Sequence, residues 1–166
     1  MSSINSSLSL SSLRPALPIF TGLLGVVALG GGAYNFVSPL EGAKGFGLLA
    51  PAKDAAHADA FQEAYIRVHG IRNIGTGLST LTLVLMWQFS DLCRTSPIAA
   101  LAVKRCMGIS LVLGTTVGLG DAWILKQYAE SPGVGQEAVA LARGKSTAHA
   151  VTALVIASVG LGWLMV

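Results

Sequence analysis

The chain has 166 residues, of which 52% are hydrophobic and only 11% are charged, and its formal net charge is +3. An average soluble domain is about 25% charged, so this composition argues against an ordinary soluble enzyme and against a disordered tail. The basic residues form no cluster, which argues against nucleic acid as a partner. At about 20 apolar residues per span, the chain is long enough for four transmembrane helices.

The first fourteen residues are rich in serine and carry a single charge, at Arg14. We predict a disordered leader over 1–14, followed by a single membrane domain over 15–166. A signal peptide cleaved near residues 28–32 is the alternative, but the apolar run continues past that point. Cys93 and Cys106 are too few for a disulfide framework, so free thiols are expected unless that end faces an oxidising compartment.

Four charge-poor runs predict the long helices. The first covers 15–36 and ends at Ser38-Pro39, because proline disfavours helix in the residue before it. A connection rich in Gly, Ala and Pro follows over 41–59, and its apolar patch at 46–49 lies in the interface or re-enters the bundle. The second helix covers about 59–89 and the third about 98–128, with a polar turn at 91–97 between them. After a short surface helix at 136–143, Ser146 is the expected N-cap of a fourth helix over 147–166.

The predicted fold is therefore all-α, a four-helix transmembrane bundle with both termini on one side of the membrane. A soluble helical bundle is the alternative. Soluble helices keep a polar face, however, and the first and fourth helices have none. Arg and Lys are spread too evenly over the two ends for the positive-inside rule to fix the orientation.

Polar residues within the spans are concentrated at one end of this bundle. Because successive helices run in opposite directions, the end of the first, the start of the second, the end of the third and the start of the fourth share one membrane face. Intramembrane ionisable groups cost about 2.5–3.5 kcal/mol each on insertion scales and usually mark function. The residues expected to meet there are Tyr34, Asn35, Tyr65, His69, Arg72, Asn73, Asp121, Trp123 and His149.

Helical phase predicts that each helix turns this polar set inward. Residues three or four positions apart share a face, and small residues on that face let membrane helices approach closely. The predicted stripes are Thr21, Gly25, Ala28, Gly32 and Asn35 on the first helix; Tyr65, His69, Arg72, Asn73, Thr76 and Thr80 on the second; Ser110, Gly114, Gly118 and Asp121 on the third; and His149, Ala153, Ile156 and Gly160 on the fourth.

Arg72 and Asp121 form the simplest charge pair across the bundle, because a carboxylate matches the guanidinium fork. His69 and His149 are placed to extend this network. The alternative is a purely structural pair that fixes the helix register. Glu63 and Arg67, one turn apart, are expected to form a solvated face.

No cofactor or metal motif survives inspection, and we expect neither a cofactor nor a metal. Gly144-Lys145-Ser146-Thr147 resembles the end of a phosphate-binding loop, but the first glycine of that motif would be Val139. The histidines are scattered, and no Gly-x-Ser-x-Gly elbow is present. What remains is acid–base chemistry by Asp, His, Arg and Tyr, or binding without chemistry.

The order of these residues resembles a known family. Pro39, Phe46-Gly47-Leu48, Arg72-Asn73 followed by Gly75 and Gly77, Asp121 and His149 are similar to the pattern of a family of small four-helix integral membrane proteins, common in fungi and classified as a domain of unknown function. That family usually carries Arg-Asp where this chain has Arg72-Asn73, so one carboxylate is missing here. The resemblance implies a membrane location, and the place of some members among secondary-metabolite genes implies lipophilic small molecules.

Three functions remain open for a multi-pass protein of the endomembranes. The first is binding, or cofactor-free isomerisation or cyclisation, of a lipophilic small molecule, with Asp121, His149 and Arg72 as catalytic residues. The second is a non-enzymatic packing or accessory subunit, and the third is a small proton-linked carrier, most simply an oligomer. The expected ligand-binding residues are Tyr34, Asn35, Tyr65, His69, Asn73 and Trp123.

Overall fold

A computed structural model describes residues 15–49 and 60–166, and all of the regular elements in these ranges are α-helices. In chain order they are α1 (Ala16–Val37), α2 (Pro39–Phe46), α3 (Ala60–Phe89), α4 (Asp91–Thr95), α5 (Pro97–Ala129) and α6 (Gln136–Met165). The all-α prediction is confirmed. The leader predicted at 1–14, and residues 50–59 of the predicted connection, lie outside the described residues.

Three of these helices, α1, α5 and α6, are long and apolar enough to cross a membrane. The chain therefore has the character of an integral membrane protein. With 30 residues, α3 is also long enough, at about 1.5 Å per residue. Its polar residues, which include Arg72 and Asn73, make it less apolar than the other three. In the described chain, three helices are therefore apolar enough to cross a membrane, whereas four were predicted.

The start of the fourth helix was predicted wrongly. The expected surface helix at 136–143 and the expected helix from Thr147 form one continuous helix, α6, which begins at Gln136. Ser146 is not an N-cap, because its hydroxyl donates to the Ala122 carbonyl of α5 at 2.7 Å. A serine bonded across to a neighbouring helix leaves its own helical backbone uninterrupted.

Two short helices replace segments that were predicted to be irregular. Pro39 occupies the first turn of α2, where its missing N–H costs nothing and its fixed φ favours the helix. The turn after α3 contains α4, whose N-cap Ser90 accepts a hydrogen bond from the Cys93 backbone N–H at 3.2 Å. Local capping therefore forms helix in stretches too short for hydrophobic periodicity to reveal.

The long helices pack as two antiparallel pairs, α1 with α3 and α5 with α6, and glycines set the distance in both. A Cβ added at Gly32 would lie 2.6 Å from the Gly70 carbonyl oxygen of the partner helix. In the second pair, a Cβ at Gly108 would lie 2.9 Å from the Gly160 carbonyl oxygen. Such close backbone contact through small residues is typical of membrane helices.

The predicted stripes are correct for α1 and α6 but only partly correct for α3 and α5. Thr21, Gly25 and Gly32 are buried on α1, as Ala153 and Gly160 are on α6. On α3, Gly70 and Gly77, which meet α1, are buried instead. The residues of the predicted α3 stripe divide into partly buried His69, Asn73 and Thr80 and exposed Tyr65, Arg72 and Thr76. On α5, Ser110 is exposed and a Cβ at Gly114 would meet nothing within 4 Å.

The two helix pairs join at the end where α1 begins and α6 finishes. Trp163 is 2% exposed and donates its Nε1–H to the Thr21 hydroxyl oxygen at 2.7 Å. The Thr21 hydroxyl in turn donates to the Leu17 carbonyl at 2.8 Å. The Trp163 ring also packs edge-on against Trp87 of α3, with 5.1 Å between the ring centroids. A buried apolar cluster that includes the free thiol of Cys93 surrounds this contact.

The outer surface of the helices suits lipid rather than water. Within the most apolar stretch of each candidate span, only 17% to 22% of the residues are buried inside the protein. The exposed hydroxyls of Thr116 and Ser158 are satisfied without solvent, because they donate to carbonyls three or four residues earlier. In a bilayer, every polar group must find such an internal partner.

The glycine contact between α1 and α3 gives a direct test of this packing. Gly32→Ala places a methyl group against the Gly70 carbonyl, so we expect a loss of roughly 1–3 kcal/mol, as for other overpacked cores. The matched control is Gly30→Ala on the same helix, where a Cβ meets nothing within 4 Å. The control should be neutral or slightly stabilising. Unfolding in detergent measures both, and equal stabilities would contradict the close contact.

Candidate functional site

The polar end of the molecule is covered by residues 46–49, which we call the cap segment. Phe46 and Leu48 pack against a buried cluster of Leu125, Ala129 and Ala142 on α5 and α6. The apolar patch that the sequence predicted to lie in the interface or to re-enter the bundle thus folds back over the ends of these two helices. Because Phe46 is also the last residue of α2, this packing places the end of α2 at the candidate site.

Three local features hold the cap segment in place. Gly47 ends α2 with φ +123°, a conformation that favours glycine. A Cβ on Gly47 would also lie 2.8 Å from the Lys145 Cβ of α6. Tyr128 of α5 donates its hydroxyl to the Leu49 carbonyl at 2.7 Å. The segment is therefore anchored on both α5 and α6.

His149 of α6 lies beneath this segment and faces two partners. Its Nε2 is 3.3 Å from the Phe46 carbonyl oxygen. Its Nδ1 is 3.9 Å from Oδ2 of Asp121, and the two side chains are 26% and 19% exposed. That separation exceeds a hydrogen bond but is close enough for strong charge coupling. An imidazole and a carboxylate are therefore adjacent and mostly buried within otherwise apolar helices.

Phe46 places its ring against both described histidines. Its centroid is 4.7 Å from that of His149 and 5.5 Å from that of His69 on α3, which it meets edge-on. The basic side chains of His149, His69 and Arg72 lie near enough to the Asp121 carboxylate to act on it electrostatically. The direct contact among these four residues is the one between His149 and Asp121, and His69 reaches this contact through the Phe46 ring.

The direct Arg72–Asp121 ion pair is not formed. In the described ranges, the ion-pair contact of Asp121 within 4.0 Å is with His149, and Arg72 is exposed. The physical reason lies in the packing of the two helix pairs. Glycines turn the opposite face of α3 towards α1, whereas a contact between Gly118 and Ala153 holds α6 against α5 and brings His149 beside Asp121.

The remaining predicted residues divide into two groups. Asn35 and Asn73 are partly buried, and Asn35 abuts Gly42 of α2. Tyr34, Tyr65 and Trp123 are 52%, 70% and 61% exposed. In the described part of the chain, no hydrogen bond or ring contact joins these three aromatic residues to Asp121 or His149. Their exposure near one end of the helices is typical of the aromatic belt at a membrane–water interface.

Sequence reasoning missed three residues that shape the site. Phe46 and Gly47 entered the sequence analysis only through an apolar patch and the family resemblance, and neither they nor Tyr128 were assigned a role at the site. The available signal was Gly47 three residues after Lys44 and directly before Leu48-Leu49, which is typical of a helix C-terminus stabilised by an apolar contact. The contact of Tyr128 spans 79 positions, and local patterns carry no information at that range.

Chemically, the arrangement can share or transfer one proton. No cluster of three or more His, Cys, Asp or Glu side chains suited to a metal ion occurs in the ranges 15–49 and 60–166.

Two shallow grooves lie away from the Asp121–His149 pair. One, of about 310 Å³, lies between α1 and α6 and includes Phe20 and Ser158. The other lies beside Arg67 and Glu63, which form a 3.0 Å ion pair with side chains 46% and 35% exposed.

Comparison with known proteins places the sequence in a family. A family model described as "Domain of unknown function (DUF4267)" matches residues 25–164. No curated protein and no solved structure matches the chain. The matched range contains the cap segment, Asp121 and His149, and it spans most of the sequence. The chain belongs to the DUF4267 family.

Proposed function

We propose that this chain is a multi-pass protein of internal membranes that binds a lipophilic small molecule at the Asp121–His149 pair. The pair is suited to isomerising or cyclising that molecule by proton transfer, without a cofactor. The carrying observation is the 3.9 Å contact between His149 Nδ1 and Asp121 Oδ2, with both side chains mostly buried. Ionisable groups are costly at membrane depth and usually mark function.

The charge balance around the pair supports a ligand with a polar or anionic group. Arg72, together with His69 and His149 when they are protonated, acts on the single carboxylate of Asp121. A guanidinium binds carboxylates and similar anions through a planar fork of donors, and exposed Arg72 is free to offer it at the membrane interface. The apolar flanks of α3 and α5 suit the lipophilic part of such a molecule.

Four membrane crossings are part of this proposal, with α3 as the fourth. The glycine contacts of α3 run along α1 from Gly25 opposite Gly77 to Gly32 opposite Gly70. Because α1 is apolar enough to span a bilayer, a helix packed along its length occupies the same depth. The polar residues of α3 then lie at or near the candidate site.

Cysteine accessibility tests the fourth crossing. In a background with Cys93→Ala and Cys106→Ser, single cysteines replace exposed Glu41, Asp91 or Ser131. We expect Glu41→Cys and Ser131→Cys to react from one side of sealed vesicles and Asp91→Cys from the other, because α3 separates them. Labelling of Glu41→Cys and Asp91→Cys from the same side would contradict the crossing.

The proposed binding is tested by what co-purifies with the protein from its native membrane. Small molecules extracted from equal amounts of folded wild type, Asp121→Asn and His149→Gln are compared by mass spectrometry. We expect a lipophilic compound in the wild type that falls at least about tenfold in both variants, which corresponds to about 1.4 kcal/mol of lost affinity. Asp91→Asn, an exposed aspartate on α4 at the opposite end, is the matched control and should retain it.

A second candidate function is a non-enzymatic accessory subunit in which Asp121 and His149 only stabilise the helices. The two contacts of His149, with the Phe46 carbonyl and with Asp121, both lie within the protein and favour it. This function predicts that Asp121→Asn loses roughly 1–3 kcal/mol of stability, the cost of leaving a buried polar group unpaired. It also predicts that bound compounds are equal in all variants, and that outcome would overturn the first proposal.

A further inference from the structure

We infer that Phe46 is a positioning residue, whose carbonyl fixes the proton on His149 Nε2 and so leaves Nδ1 as the nitrogen that exchanges a proton at the site. The inference rests on the proposed function for its catalytic meaning. Its structural content, the protonation of one ring nitrogen by a backbone contact, stands on the geometry of the cap segment alone.

The chemistry of the two His149 partners sets the assignment. A backbone carbonyl oxygen only accepts hydrogen bonds, so the 3.3 Å contact between Phe46 O and Nε2 requires a hydrogen on Nε2. A neutral imidazole carries one N–H, which leaves the lone pair of Nδ1 facing Asp121 at 3.9 Å. A lone pair facing an ionised carboxylate is unfavourable. The arrangement in which His149 contacts both Phe46 and Asp121 is therefore stable when one further proton resides on Nδ1 or on Asp121.

This proton makes the pair electrically neutral as a unit, which suits a site in apolar helices. For transfer to a ligand, the Nδ1–H bond breaks, the proton bonds to the ligand atom, and neutral imidazole remains with Nε2–H intact. Uptake of a proton from the ligand restores the starting state. The Phe46 carbonyl keeps the ring oriented through both steps without itself reacting.

Among residues 15–49 and 60–166, the other charged or titratable groups near His149 come from three helices. Asp121 and Tyr128 lie on α5, His69 and Arg72 on α3, and Lys145 one turn earlier on α6. His69 is separated from His149 by the Phe46 ring. Lys145 packs its aliphatic carbons against Gly47. In the described part of the chain, Asp121 is thus the acid placed to share the Nδ1 proton.

Gly47 offers a way to disturb this contact without touching the pair. Its φ of +123° and the Lys145 side chain leave no room for a Cβ, so Gly47→Ala must shift the cap segment. Gly45→Ala is the matched control, because Gly45 lies on the same short helix and a Cβ there would meet nothing within 4 Å. Tyr128→Phe removes the hydroxyl that holds Leu49 and gives the same test should Gly47→Ala fail to fold.

The experiment is nitrogen-15 NMR of the full chain in detergent with labelled histidines, the His149 signals being assigned by their loss in His149→Gln. We expect the ring nitrogen shifts to show Nε2 protonated in the wild type and in Gly45→Ala. Exchange of the Nε2 hydrogen with water should be at least about tenfold faster in Gly47→Ala, as expected for loss of one hydrogen bond worth about 1.4 kcal/mol.

An unprotonated Nε2 in the wild type would overturn the inference. So would an Nε2 hydrogen that exchanges at the same rate in Gly47→Ala as in the control Gly45→Ala. If Gly47→Ala does not fold, Tyr128→Phe takes its place in this comparison. These outcomes are independent of the proposed function, because the spectra require no ligand. A protonated and protected Nε2 without any co-purifying compound would uphold the positioning and reject the binding proposal. If a compound co-purifies and Nε2 of His149 is unprotonated, the binding proposal is upheld and the positioning role of Phe46 is rejected.

Discussion

The polar end of this protein depends on the two-sided contact of one imidazole. His149 on α6 faces the Phe46 carbonyl with Nε2 and the Asp121 carboxylate with Nδ1. These partners belong to elements far apart in the sequence, the cap segment and α5. Without His149, Asp121 would be a mostly buried acid with no ion-pair partner within 4.0 Å among the described residues, and the cap segment would lose its polar contact with α6. The remaining features of the site are arranged around this contact.

Glycine packing determines which polar side chains reach this site. Membrane helices gain little from hydrophobic association, so they associate through close backbone contact and interhelical hydrogen bonds. On α3 the glycine face is turned to α1, and Arg72 is consequently exposed. Between α5 and α6, the contact at Gly118 lies close to Asp121 and His149, so tight packing and the charge pair coincide. Glycine packing thus leaves Arg72 outside the contact and brings Asp121 and His149 together.

The long helices and the convergence of polar groups at one end could be predicted from the sequence, because hydropathy and alternating helix direction are sufficient for both. The partner of Asp121 could not be predicted. Helical phase identifies a face but does not say which neighbour that face meets, and small residues occur on more than one face of α3. The role of Phe46 also escaped prediction, because it depends on a positive φ at Gly47 and on contacts with residues about a hundred positions away.

A double-mutant cycle between Asp121 and His149 tests the central contact most directly. The free energy of unfolding in detergent is measured for the wild type, Asp121→Asn, His149→Gln and the double variant. Side chains in direct contact show coupling energies of about 0.5–3 kcal/mol, whereas distant ones add within roughly 0.3–0.5 kcal/mol. We predict coupling in the first range, and additivity in a parallel cycle with Asp91→Asn. Additive effects of Asp121→Asn and His149→Gln would contradict the contact.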